Sequence, residues 1–395
     1  MMNKLAPTAL CSQVAAIACG GTGGHLFPGL AVGRELRRAG CEVMLLVSSK
    51  RIDGLAAQAA GDMEIVVLPA VGFSRGNALG FARRFWQSYF LSKKHFLTRR
   101  PRLVLGMGGF ASAPPVLAGK RLGARAFLHE SNSVPGRANR FLARVADGAF
   151  VYFQTAAEKL PARRVEAAGM PVRPEFLRLM PAAAARAALG LKAGAPVLLV
   201  MGGSQGAGKI NGLILGILPQ LLRAMPALQF IHLTGPADFE KVRAAYAAAG
   251  RPAVVRAFLG EMAAALAAAD IAVSRAGASS LAEFAACRLP SILIPYPTAA
   301  GDHQFHNACA FARSGAARSL QQDHFAPELL AEEILGLLGD SKRRAAMQQA
   351  LGAWHRPEAA AQIADRMLHW SARAPSVPAA GAPEPNTGKL GVLNV

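Results

Sequence analysis

Val14-Ala15-Ala16-Ile17-Ala18-Cys19-Gly20-Gly21-Thr22-Gly23-Gly24-His25-Leu26 is an unbroken apolar run that stops abruptly at a cluster of glycines. Such a run reads as a strand buried on both faces, and the glycines as a tight turn into a helix. A turn of this kind turns backbone N–H groups outward and lets a phosphate approach with no Cβ in the way, while the helix start adds partial positive charge. The same strand-then-glycine pattern returns at Gly106-Met107-Gly108-Gly109-Phe110 and at Val200-Met201-Gly202-Gly203-Ser204-Gln205-Gly206. The plainer reading of any one turn is close strand-to-helix packing. Three of them together point to phosphate ligands.

Outward from this stretch, apolar runs at 42–48, 64–68, 103–107 and 126–129 alternate with helical patterns, and the series restarts at 196–201, 229–233, 253–257, 270–274 and 291–295. Strand then helix, repeated, predicts an α/β fold of parallel sheets with helices on both faces. The 395 residues, 52% hydrophobic, suffice for two doubly wound domains. Between the series, Gly169-Met170-Pro171-Val172-Arg173-Pro174 breaks regular structure and suits a crossing between them. Residues 371–395, rich in Pro, Ala and Gly, read as a disordered tail.

Residues 10–33 carry no Asp, Glu, Lys or Arg, but glycines, His25 and Pro28 in their middle fit a strand and turn better than a membrane span. A signal-peptide reading of Lys4 and the apolar residues after it lacks a firm cleavage site. The five dispersed cysteines argue against a disulfide framework or a zinc site and fit a reducing compartment. A net charge of +20 attracts nucleic acid, anionic membrane or phosphorylated substrates, and no nucleic-acid-binding module is recognisable. Leu26 stands where a dinucleotide fingerprint needs its third glycine. Gly203 to Lys209 imitates a triphosphate-binding loop until Ile210 takes the place of the magnesium-binding Ser or Thr.

The motifs Gly20-Gly21-Thr22-Gly23-Gly24-His25 with Pro28-Gly29-Leu30-Ala31, Gly106-Met107-Gly108-Gly109-Phe110-Ala111-Ser112, His129-Glu130-Ser131-Asn132, Gly202-Gly203-Ser204-Gln205-Gly206-Ala207, Arg275-Ala276-Gly277-Ala278 and Asp302-His303-Gln304 with Asn307-Ala308 resemble those of the MurG family of peptidoglycan N-acetylglucosaminyltransferases, in the family's order. The chain departs from that pattern at Met170, where the family usually has Asn, and at Ser131, where it has Gln. The resemblance implies a GT-B architecture: an acceptor and membrane-associated domain at 1–174, a UDP-GlcNAc-binding domain at 175–355, and a last helix at 356–370 returning to the first domain. It implies transfer of GlcNAc from UDP-GlcNAc to the C4 hydroxyl of undecaprenyl-diphospho-MurNAc-pentapeptide, lipid I, with inversion. It places the chain on the cytoplasmic face of the inner membrane, with other cell-wall synthesis proteins as candidate partners. Another glycolipid glycosyltransferase or a nucleotide-sugar epimerase of the same fold, or a non-catalytic nucleotide-sugar binding protein, are the rival readings.

By motif, the resemblance puts Thr22, Gly23, Gly24 and Asn132 over the sugar and phosphates and Arg173 at the hinge side of the donor. It puts Ser204 at the diphosphate, Leu259 at uracil, the segment Ala278, Ser279, Ser280, Leu281, Ala282 and Glu283 at the nucleotide with Glu283 on the ribose, and Gln304 at the sugar hydroxyls. Glu283 has a plainer role as partner of Ser280 in a capping box, Gln304 as a solvated amide, and Arg173 as a surface ion pair. His25 is the candidate base for the acceptor hydroxyl, because an imidazole titrating near 6.5 accepts a proton at neutral pH. Its plainer role is to orient the acceptor. Helix starts would meet the charge of the leaving UDP, so no cofactor is called for, and no D-x-D pair offers a metal site.

Residues 79–100 combine Phe81, Phe85, Trp86, Tyr89 and Phe90 with Arg83, Arg84, Lys93, Lys94, Arg99 and Arg100 at helical spacing. They predict an amphipathic helix lying on an anionic membrane surface, with Phe81, Phe85 and Trp86 joining Gly108 and Gly109 on the acceptor side. The plainer alternative buries Phe85, Tyr89 and Phe90 in the core.

Overall fold

The computed structural model describes residues 13–20, 23–48, 60–69, 77–203 and 206–372. Thr22, Ser204, the signal-peptide reading at the first residues and the predicted tail beyond Ala372 lie outside them, while Ser371 and Ala372, predicted as the start of that tail, end the last helix.

Two sheets, parallel throughout, form the frame. The first contains β1 (Val14–Ala18), β2 (Glu42–Ser48), β3 (Glu64–Leu68), β4 (Leu103–Gly106), β5 (Arg125–Glu130), β6 (Gly148–Val151) and β7 (Val165–Glu166), in the order β3-β2-β1-β4-β5-β6-β7. The second contains β8 (Val197–Met201), β9 (Gln229–Leu233), β10 (Ala253–Arg256), β11 (Ile271–Ser274), β12 (Ser291–Leu293) and β13 (Arg318–Ser319), in the order β10-β9-β8-β11-β12-β13. β6, β7 and β13 are not among the predicted runs; β7 and β13, two residues each, are too short to carry any periodicity.

Alternate residues of each central strand serve opposite faces, and each face has its own helices. On β8, Leu198 and Val200 meet Ile210, Ile214 and Leu221 of the Gly208–Ala224 helix, while Leu199 packs on the side of Leu281 and Phe284 from the Ala278–Cys287 helix. On β1, Ala16 faces Tyr89 and Phe96 of the Ala78–Arg99 helix, and Ile17 faces Leu30, Val32 and Leu36 of the Gly23–Arg38 helix. This two-sided burial is why the strands read as continuous apolar runs. The Ala359–Ala372 helix also packs against the first sheet: Ile363 and Met367 join the Leu30 cluster, Trp370 stacks on Phe150 with ring centroids 5.3 Å apart, and Arg366 pairs with Glu166 at 3.0 Å.

Each strand order reverses direction once, between β1 and β4 and between β8 and β11. Crevices at such switch points, beyond the carboxyl ends of the strands, are where open α/β sheets hold ligands. Three of the glycine-rich turns leave these four strands.

Candidate active site

His25 sits in the first turn of the helix that follows β1, and its ring lies against the other first-domain glycine turn. A Cβ on Gly20 would stand 2.7 Å from His25 Cδ2, and one on Gly108 would stand 3.1 Å from Cε1. Gly108 also takes φ +104°, which a side-chain-bearing residue rarely adopts. The glycines predicted as phosphate cradles thus also make the bed of the imidazole. Nδ1 is shut away from solvent beside the Met107 backbone, short of a full hydrogen bond. Burial pushes the ring below its ordinary value, opposed mainly by the negative charge of Glu130.

Glu130, part of the His129-Glu130-Ser131-Asn132 motif but without a predicted role, closes β5 and is almost fully buried. Its carboxylate accepts from Asn132 N at 2.9 Å, Gly136 N at 3.0 Å and Asn139 Nδ2 at 2.9 Å, so it folds the loop that carries Asn132. No local rule marks such a residue, since its partners lie on a turn and a following helix.

A cavity of about 150 Å³ opens between the domains. Gly24, Phe27 and Pro28 line it from the first domain, Arg173 from the crossing, and Gly203, Leu259, Ser279, Ser280 and Glu283 from the second. The structure therefore gathers Gly24, Arg173, Leu259, Ser279, Ser280 and Glu283 into one wall-to-wall site. Pro28, inside the first helix, has no N–H to give Gly24 O four residues back. Ser279 Oγ of the second domain donates to that carbonyl instead, at 3.1 Å.

The capping-box reading of Glu283 does not hold. The helix begins at Ala278 on an N-cap of Gly277, which puts Ser280 inside its first turn and leaves the early N–H groups without a side-chain cap. Glu283 instead meets Arg173 Nη2 at 3.5 Å. Burial raises its carboxyl to about 7 from 4.5, and the Arg173 charge works against that rise. Arg173 lies over both Phe27 and Phe176 at 4.7 Å from each ring centroid and pairs with Glu175 at 3.2 Å, so it is an interior clamp rather than a surface ion pair.

Other predicted residues fall elsewhere. Leu281 and Ala282 turn into the core, and Ala278 is buried at the helix start. Gln304 Oε1 accepts from Tyr296 N at 3.0 Å in the loop after β12, which leaves its Nε2 free of that bond, and Gln304 is not among the residues that line the cavity. Asn132 lies at the domain junction, where its Oδ1 accepts from Asn307 Nδ2 at 3.1 Å. Gly23 is the first residue of its helix, and Gly109, with φ +74°, lies 3.7 Å from His25 Nε2 when given a Cβ. Among the described residues no three His, Cys, Asp or Glu side chains converge in a way that could hold a metal ion.

The Ala78–Arg99 helix is amphipathic in an unexpected sense. Tyr89 and Phe96 are buried, as the core reading expects for Tyr89, but Phe90 is 60% exposed and Trp86 52%. With Leu79 and Leu97 they form an apolar stripe on the outer face, among exposed Arg83, Arg84 and Lys94. Phe81 meets Phe110 edge-to-face at 5.6 Å, which ties the start of this helix to the Gly108–Gly109 turn beside His25. No helix of the described residues is long and apolar enough to cross a membrane.

Residues 15–151 match the N-terminal domain of glycosyltransferase family 28, and residues 197–367 match its C-terminal domain. The chain is 40% identical over 370 residues to the UDP-N-acetylglucosamine–N-acetylmuramyl-(pentapeptide) pyrophosphoryl-undecaprenol N-acetylglucosamine transferase of Solidesulfovibrio magneticus, covering 90% of this chain and 97% of the relative. It is 36% identical over 379 residues to the enzyme of that name from Anaeromyxobacter sp. (strain K), covering 93% and 96%. Among solved structures, Acinetobacter baumannii MurG superposes with a TM-score of 0.69 at 28% identity, over 91% of this chain and all of that one. A UDP-N-acetylglucosamine 2-epimerase from Listeria monocytogenes reaches the same TM-score at 15% identity, a likeness of fold alone.

Proposed function

The chain belongs to glycosyltransferase family 28, in its MurG branch, and on that premise we propose that it moves GlcNAc from UDP-GlcNAc to the C4 hydroxyl of lipid I, giving lipid II, by direct displacement across the cleft. The observation that carries the reading is the meeting of two switch points: the His25 turn on one wall and the Arg173–Glu283 pair on the other, joined by Ser279 and Gly24.

In this reading uracil lies against Leu259, and the ribose hydroxyls donate to the Glu283 carboxylate. The diphosphate faces the uncapped start of the Ala278–Cys287 helix, whose N–H groups take up charge as UDP leaves. His25, kept neutral by burial, takes the acceptor proton through Nε2 as the C4 oxygen attacks the anomeric carbon from the side opposite UDP, which inverts it. Thr22, Gly23, Gly24 and Asn132 close over the sugar and phosphates, Ser204 faces the diphosphate, and Gln304 offers its Nε2 to the sugar. Lipid I reaches the site from a cytoplasmic membrane surface on which the Trp86–Phe90 stripe rests, each flanking cation adding about 1 kcal/mol near anionic headgroups.

The test is transfer of labelled GlcNAc from UDP-GlcNAc to a lipid I analogue by the purified chain. Labelled disaccharide lipid is expected. Tight UDP binding without transfer, or release of an epimerised sugar, would overturn the reading.

A further inference from the structure

We infer that Asn307 is a positioning residue for this transfer, a latch that locks the Asn132 loop of the first domain to the start of the nucleotide-side helix of the second. The inference rests on the proposed reaction but names a residue outside the cavity lining. Asn307 lies on the His303–Arg313 helix and is completely buried at the junction of the domains.

Its amide uses all four of its hydrogen-bonding positions. Oδ1 accepts from Ser133 N and from Ser133 Oγ, each at 2.9 Å. Nδ2 donates to Asn132 Oδ1 at 3.1 Å and to Ala276 O at 3.2 Å. A backbone N–H can only donate and a backbone carbonyl can only accept, so Ser133 N and Ala276 O together fix which end of the amide is oxygen. The orientation then propagates. Asn132 must present its oxygen to Asn307, which turns its Nδ2 to Glu130 Oε1 at 3.3 Å, and Glu130 is the charge beside His25.

On the other side, Ala276 immediately precedes the Gly277 cap of the helix that bears Ser279 and Glu283. One side chain therefore sets the first-domain loop beside the base relative to the second-domain helix beside the donor. Four directed bonds define a rotation between domains in a way that an apolar contact does not. Individually weak bonds can also open for product release, as a cleft enzyme requires. The Ser279–Gly24 contact is a separate tie across the cavity, so Asn307 has alignment rather than mere adhesion as its task.

Asn307→Asp is nearly isosteric, keeps an acceptor for Ser133, and sets a second oxygen against Asn132 Oδ1 and Ala276 O. In full-length enzyme given UDP-GlcNAc and a lipid I analogue, kcat is expected to fall about 30- to 100-fold, the scale of a misplaced reacting pair. The Kd for UDP-GlcNAc, measured calorimetrically without acceptor, should stay within about threefold, because donor contacts in the second domain are intact. Ser133→Ala removes one of the four bonds and should lower kcat by about threefold to tenfold with an unchanged melting temperature. A wild-type kcat in Ser133→Ala overturns the inference even if the Asp variant does not fold. So does a loss in Asn307→Asp that follows donor Kd one for one, which would make the residue an ordinary donor contact. Failure of the wild-type chain to transfer GlcNAc would strike the proposed reaction instead.

Discussion

At the end of β1 burial pushes the His25 imidazole below its ordinary value of 6.5, whereas beyond β11 burial pushes the Glu283 carboxyl up to about 7. Loss of water favours the neutral form in both walls of the cleft. For a histidine the neutral form is the one that accepts a proton, which suits the base role proposed for His25. For a carboxylic acid the neutral form has lost acceptor capacity, and at about 7, with the Arg173 charge already opposing the rise, the Glu283 carboxyl divides between its two forms near neutral pH. Similar scaffolding and similar burial thus have opposite chemical consequences, which is the division that the proposed roles of base and donor grip require.

His25→Ala attacks that division most directly. It should lower kcat by about 10²- to 10⁴-fold while donor Kd, read by calorimetry, moves less than about threefold. A near-normal kcat would reduce the ring to an orienting role.

Each domain also buries a histidine within its sheet, His129 on β5 and His232 on β9, and here the two should behave alike. Burial holds His129 and His232 at about 4 instead of 6.5. The unfolded chain binds protons that the folded chain refuses, so their contribution to stability is present above pH 6.5 and is lost as pH falls through about 4. Urea unfolding across that range should show a loss of up to about 3 kcal/mol per histidine, with a shallower slope in His129→Gln and His232→Gln. A flat acid limb in the wild type would break the symmetry argument.

Glu283→Gln should separate function from stability in the second wall. Loss of the carboxylate should weaken UDP-GlcNAc binding by about 10- to 100-fold, and wild-type affinity should itself decline as pH drops below about 7. A raised carboxyl pKa stabilises the fold fully below 4.5, and that contribution disappears as pH rises through about 7. The variant should consequently be more stable than wild type at alkaline pH, by about 1–3 kcal/mol in denaturant titrations. Weaker binding with no stability gain would mean that Arg173 already keeps the group ionised.

The smallest effect concerns the outer helix. Trp86→Ser combined with Phe90→Ser should cut binding to anionic vesicles about tenfold in sedimentation, with turnover on a water-soluble acceptor analogue preserved. Equal losses in both assays would place the stripe in folding rather than docking.

Much of this was legible along the chain because strand, turn and glycine signals are local. The run from Val14 to Cys19, the glycines after it and their counterparts at Gly106 and Gly202 announce parallel strands that end in glycine turns, and Leu26 and Ile210 count against two common nucleotide-binding motifs. The capping box failed because Ser280 and Glu283 satisfy a local spacing, while the helix starts where Gly277 follows β11 and where Leu281 and Phe284 can reach the core. Phe90 and Tyr89 are neighbours of similar character, and only the packing of the Ala78–Arg99 helix decides that one is exposed and the other buried.

The sequence alone thus determined two α/β halves, their glycine turns and the family that carries them. Tertiary structure decided that Gly20 and Gly108 bed His25, that Pro28 leaves a carbonyl for Ser279, and that Asn307 meets Ser133 across a separation of 174 residues. The reason is physical: periodicity and turn preference act between near neighbours, whereas desolvation and the partners of a buried amide depend on which distant segments fold against it.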